Sequence, residues 1–165
     1  MRRAAVARAA VLTLAVAVTS TGCGILAPDG DDALTRLERA EALWAARGPE
    51  RYAVTVTRSC ECLWVEPRLT VQDGEIVAVD FPSGTDPIYP ESEWRHIVLA
   101  THYPVGGFLA YLRQVLAGDP YSFSAEYDPA NGLPVVVSVD HRREVADDEW
   151  VVRYTDLEPL TAGSS

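Results

Sequence analysis

Between Tyr52 and Trp64 the chain alternates, with Tyr52, Val54, Val56, Cys60, Cys62 and Trp64 set against Thr55, Thr57, Ser59 and Glu61. A period of two is that of an extended strand, and a strand with one apolar face must find both a sheet and a covering layer. Arg58 is the one charged residue on the inward side. The rest of the chain supplies the missing parts. Arg68 to Gln72 and Glu75 to Asp80 are joined by Asp73-Gly74, a two-residue hairpin signal because both turn positions need positive φ. That register sets Val71 against Ile76 and Leu69 against Ala78, with Val77, Val79 and Phe81 on the other side and both faces covered.

Helices come from two further segments. Asp31 and Asp32 can cap one whose apolar stripe is Leu34, Leu37, Ala40, Leu43 and Trp44, stopped by Gly48-Pro49. Phe108, Leu109, Leu112, Val115 and Leu116 give a second from Val105, stopped by Gly118-Asp119-Pro120. Between them, residues 82–103 are rich in Pro and Ser around a single helical turn, Glu93 to Ala100. Tyr121, Phe123, Ala125 and Tyr127 then alternate as a strand, the turn Asp128 to Gly132 leads into Leu133 to Val139, and a last strand runs from Trp150 to Leu157. Each half reads helix, Gly-containing stop, Tyr-led strand and two more strands, which suggests a tandem αβββ duplication. The expected fold is α+β: an antiparallel sheet of about six strands with two amphipathic helices on one face.

The first residues do not belong to that domain. Arg2, Arg3 and Arg8 precede a ten-residue, almost unbroken apolar run from Ala9 to Val18, too short for a bilayer that needs about 20 apolar residues. Residues 1–22 therefore read as a cleavable export signal. Gly22-Cys23 resembles a bacterial lipobox, in which the Cys is acylated and becomes the first mature residue, although Ser20 stands where Leu is usual. The alternative is a signal cut elsewhere, with Cys23 discarded. Residues 23–30 form a spacer, 31–157 the domain and 158–165 a tail. Loss of the three leader arginines takes the net charge from -10 to -13. Anionic headgroups would repel such a domain, so the expected membrane contact is the acyl anchor alone. The chain is then extracytoplasmic, on the outer face of the cell membrane, with an envelope protein as the expected partner.

Composition excludes several chemistries. All 14 cations are Arg, so lysine Schiff bases and a Walker-type loop are ruled out. The longest cationic runs are Arg2-Arg3 and Arg142-Arg143, which argues against nucleic acid. No Gly-x-Ser-x-Gly is present, and Asp80, Asp86 and Glu91 are carboxylates that nothing singles out for acid-base work. His96, His102 and His141 lack helical zinc spacing and read as satisfied surface residues, while Asp147-Asp148-Glu149 lacks the interleaving of a calcium loop. The expectation is a non-enzyme with no metal and no cofactor.

Cys60-Glu61-Cys62 is the most distinctive local motif. On a regular strand its Cα atoms would lie roughly 6.6 Å apart, from a rise near 3.3 Å per residue, close to the upper limit for a disulfide. A bond there requires a bend at Glu61 and would be easily reduced. A structural disulfide, buried free thiols and a redox or metal site all remain open. Two function classes follow: a membrane-anchored binding or interaction module, and an extracytoplasmic thiol-redox or metal-binding protein using Cys60 and Cys62.

Taken together, the helix ending near Trp44, Tyr52 leading into Cys60-x-Cys62, the Asp73-Gly74 hairpin, the Gly107-Phe108 helix and Tyr127-Asp128-x-x-x-Gly132-x-Pro134, then Asp140 and Asp147-Asp148-Glu149, carry a likeness. From about Leu37 to Tyr154 the chain resembles the bacterial lipoprotein family known as domain of unknown function 6174. The resemblance implies an exported, often lipidated small domain with no assigned activity. It also implies that Cys60 and Cys62 pair, and it carries over no catalytic residue.

Overall fold

The computed structural model describes residues 29–59, 66–81, 91–145 and 148–161. The leader, the start of the spacer and the second half of the Tyr52–Trp64 alternation lie outside them. The described elements run α1 (Asp29–Arg47), β1 (Arg51–Ser59), β2 (Arg68–Gln72), β3 (Glu75–Asp80), α2 (Glu91–Thr101), α3 (Val105–Ala117), β4 (Ser122–Tyr127), β5 (Pro134–Asp140) and β6 (Glu149–Pro159). Six strands form one antiparallel sheet in the order β3-β2-β1-β6-β5-β4. The α+β class is as the patterns imply.

Among the described residues three helices, not two, accompany the sheet, because the turn expected at Glu93 to Ala100 extends to Glu91–Thr101 and buries Val98. The first helix begins at Asp29, so it takes in the last two spacer residues as well as Asp31 and Asp32. Its buried stripe is Ala33, Leu37 and Ala40, with Trp44 packed beside them, while Leu34 is 41% exposed. Leu37, Leu109 and Leu112 on the helices meet Val54, Leu69, Val137 and Tyr154 on the strands in one core. Burying each of these large side chains stabilises the fold by about 1.5–3 kcal/mol.

Asp73 and Gly74 have φ of 53° and 80°, as the hairpin demands. Val71 does pair with Ile76, but Leu69 pairs with Val79 rather than Ala78, because the register shifts after Thr70. The irregularity falls at Val77, which is 47% exposed, and it lets both Ile76 and Val79 pack toward the core. The outward face of the hairpin is thus open at Val77.

The αβββ order recurs as α1-β1-β2-β3 and α3-β4-β5-β6, but only as an order of elements. Equivalent strands keep the same lateral sequence across the sheet and run in opposite directions. Only a half-turn about a line in the sheet plane would superpose such units, and it would carry one helix to the far face. Instead α1 and α3 pack against each other over one shared core.

Two devices fix the helices. The Tyr52 hydroxyl of β1 accepts the Val105 N–H at 3.0 Å, satisfying one of the amides left open at the start of α3. Between β4 and β5, Asp128 Oδ1 accepts from Ala130 N at 2.7 Å and Asn131 Oδ1 from Leu133 N at 2.9 Å. These bonds present Gly132, φ 80°, to α1 so closely that a Cβ would collide with the Ala40 carbonyl. The Tyr127-to-Pro134 motif is therefore the clasp that holds α1 on the sheet.

Candidate functional site

Cys23, Cys60, Cys62, Asp86 and Asp147 lie outside the described residues. Glu91 opens α2, and Asp80 ends β3 exposed, opposite Arg68. His96 and His141 are exposed, and His141 Nε2 accepts from Trp150 Nε1 at 3.2 Å. Asp148 receives Arg142 Nε at 3.3 Å, with Glu149 exposed beside it. Among the described residues no group of three His, Cys, Asp or Glu comes together as metal ligands.

His102 departs from expectation, being buried rather than on the surface. The Thr101 hydroxyl donates its one proton to Ile97 O at 2.7 Å, so at the 2.9 Å contact with His102 Nδ1 it can only accept. His102 therefore carries its proton on Nδ1, and Nε2 is a buried lone pair without a partner among the described atoms. A cavity of about 10 Å³, room for a single water, adjoins it, with Arg58 and Tyr154 in its wall. Arg58 donates to Thr101 O at 3.0 Å and sits 5.6 Å from the Trp150 ring centroid, turned inward as the alternation required. Burial and then the Arg58 charge push the His102 pKa down to about 4. Burial likewise pushes the Tyr52 hydroxyl up to about 12 and Tyr154 well above its ordinary value. This end of the core is thus polar and closed, with the Arg58 charge in its wall.

Open space lies elsewhere, along the side of the molecule where α1 runs beside the edge strand β4. One groove of about 600 Å³ opens between Ala33 and Leu34 of α1, Leu116 of α3, and Tyr121 and Phe123 at the start of β4. A second, of about 470 Å³, follows along the same two elements, between Arg36, Arg39 and Leu43 of α1 and Ala125 to Tyr127 of β4. Leu34 is 41% and Tyr121 55% exposed, so the first groove offers apolar surface to solvent. Arg113 at its rim is held by Glu38 and Glu41. In the second, the Tyr127 hydroxyl is buried without a hydrogen-bond partner among the described atoms, and burial raises its pKa to about 12, against the opposing pull of Arg36.

Sequence reasoning placed Leu34 and Tyr121 in the core and passed over Arg36 and Arg39. One signal was available: Leu34 and Leu37 cannot share a narrow stripe with Ala33 and Ala40 unless one faces outward. Residues 33–43 and 122–128 meet only through tertiary packing, which no local pattern announces.

Among the described residues, a single antiparallel sheet with helices packed on one face, and a groove along one edge, defines a small two-layer α+β domain. The chain belongs to the Family of unknown function (DUF6174), whose model matches residues 36–159. No curated protein and no solved structure matches it.

Proposed function

We propose that the protein is an exported bacterial lipoprotein, held on the outer face of the cell membrane by an acyl group on Cys23, and that its domain is a binding or interaction module for an envelope protein. The basic start, the short apolar run and Gly22-Cys23 support the export and anchoring parts. No helix of the described residues is long and apolar enough to cross a membrane. One observation carries the binding role: the groove along β4, with Leu34 and Tyr121 in its wall and exposed. Exposed apolar surface rimmed by polar residues is characteristic of contact sites.

Two measurements test this reading. Palmitate labelling in cells should be present and lost in Cys23→Ser, and intact unlabelled protein in the cytosol would refute the anchoring. A photoreactive residue at Tyr121 should crosslink a defined envelope protein at the cell surface, and failure to crosslink any protein would refute the binding role.

A further inference from the structure

The sheet has two edges, and they are built differently. At the β3 edge an irregularity puts Val77 out of register, Glu75 and Asp80 close the strand with charge, and α2 lies against it. Bulges, charges and a covering helix are the usual protections against unwanted strand pairing. At the β4 edge the strand Ser-Phe-Ser-Ala-Glu-Tyr has one charge, and its irregularity comes only at the end, between Glu126 and Tyr127.

The ladder shows which backbone groups that edge presents. Tyr121 N donates to His141 O at 3.3 Å, and Phe123 and Ala125 stand two and four residues on, opposite Val139 and Val137. In an antiparallel ladder alternate residues turn their N–H and C=O to the same neighbour, so these face β5. Ser122, Ser124 and Glu126 therefore turn theirs outward. All three are exposed, and none takes part in the described backbone hydrogen bonds outside the ladders.

We infer that the groove between α1 and β4 takes an extended peptide segment of a partner protein, added as a seventh strand to β4. The inference rests on the binding-module reading and names its site and partner class. A row of outward N–H and C=O groups at a strand's spacing is recognised by another extended backbone, which supplies affinity, while flanking pockets read alternate side chains. The pockets here differ in chemistry. Leu34, Leu116 and Phe123 suit an apolar side chain, and Arg39, in a groove whose lining also holds Glu126 and Asp128, suits a carboxylate. Phe123 and Tyr127, which mark the two pockets, are four residues apart and point to the same face, so the segment carries its apolar residue and its Asp or Glu four positions apart. A second copy of the chain is disfavoured as occupant, since each carries a net charge of -10 and would be repelled.

The test uses the full chain and a library of random dodecapeptides displayed on phage. Expected are enriched peptides with an apolar and an acidic residue four apart, whose binding shifts the amide resonances of Ser122 to Glu126. Ser124→Pro removes one outward N–H and, on an edge strand, leaves the fold in place, which circular dichroism checks. It should weaken those peptides at least ten-fold, and Arg39→Glu, away from the backbone contact, should weaken the acidic ones selectively. The inference is overturned by no enrichment, by peptides that bind Ser124→Pro equally well, by shifts confined to another surface, or by sedimentation showing that β4 is instead occupied by a second copy. If peptides fail but the Tyr121 crosslink succeeds, the strand-addition mode falls and the binding module stands. If both fail, both fall.

Discussion

Replacing His102 by Phe should abolish a specific part of the protein's acid sensitivity. In the folded state the imidazole is neutral, with Nδ1–H on Thr101 and its pKa lowered to about 4, whereas in the unfolded chain it returns to about 6.5. The unfolded state thus binds a proton that the folded state refuses, and stability falls as pH drops. The contribution is intact above pH 6.5, declines between 6.5 and about 4, and is flat below that. Linkage gives a loss of about 2 kcal/mol from pH 7 to pH 5 and about 3 kcal/mol by pH 4. Phe keeps a planar ring among Tyr103, Phe108 and Tyr154 and removes the unpartnered Nε2, so it should fold at pH 7 with stability within about 1 kcal/mol of the parent. Urea denaturation from pH 7 to pH 4 provides the comparison, because the carboxylates common to both proteins cancel in the difference. Stability curves that diverge as pH falls, with the parent losing about 3 kcal/mol more than the variant by pH 4, would bear the argument out. Parallel curves, or a His102 imidazole whose resonances titrate near pH 6.5 in the folded protein, would refute it.

Two further substitutions separate conformation from packing. Gly74 and Gly132 share φ of 80°, but a Cβ at Gly74 meets nothing within 4 Å while one at Gly132 meets Ala40 and Trp44 of α1. Gly74→Ala should cost about 1 kcal/mol and Gly132→Ala at least about 2 kcal/mol more, read from denaturation midpoints, and equal costs would contradict the clasp. Tyr52→Phe leaves the buried Val105 N–H open and Tyr154→Phe leaves the Tyr103 carbonyl without its 2.8 Å donor. Each should destabilise by about 1–3 kcal/mol, with faster amide exchange at Val105 in the first variant only. Leu37→Ala, at a fully buried position, should cost about 2–5 kcal/mol in the same denaturation assay.

Local chemistry was readable from the chain wherever short-range rules govern. Asp73-Gly74 forms its turn and Val105 to Ala117 its helix, and Val54 and Val56 are buried, although their neighbours Ala53 and Thr55 are buried too, because β1 lies in the middle of the sheet. The displaced register at Val77 was not readable, since a bulge is chosen by what Ile76 and Val79 can reach in the core. His102 was misplaced for a related reason: its burial depends on α2 turning into α3 beneath Arg58, and neighbouring residues do not encode that. The pairing of β1 with β6, and hence the sheet order, likewise comes from long-range packing. The α1–β4 groove belongs to the same category. Each of its walls was recognised as a helix or a strand, while their juxtaposition required the whole fold.

The position of β6 bears on how the protein is made. It is the last of the described strands in sequence order and yet lies between β1 and β5, joining the β3-β2-β1 and β5-β4 portions of the sheet. A polypeptide delivered from its amino end, by a ribosome or through a translocation pore, has no bridge between those portions until residues 149–159 arrive. Completion of the sheet is thereby deferred until that segment arrives, and a product cut short before it leaves the two portions without strand pairing between them.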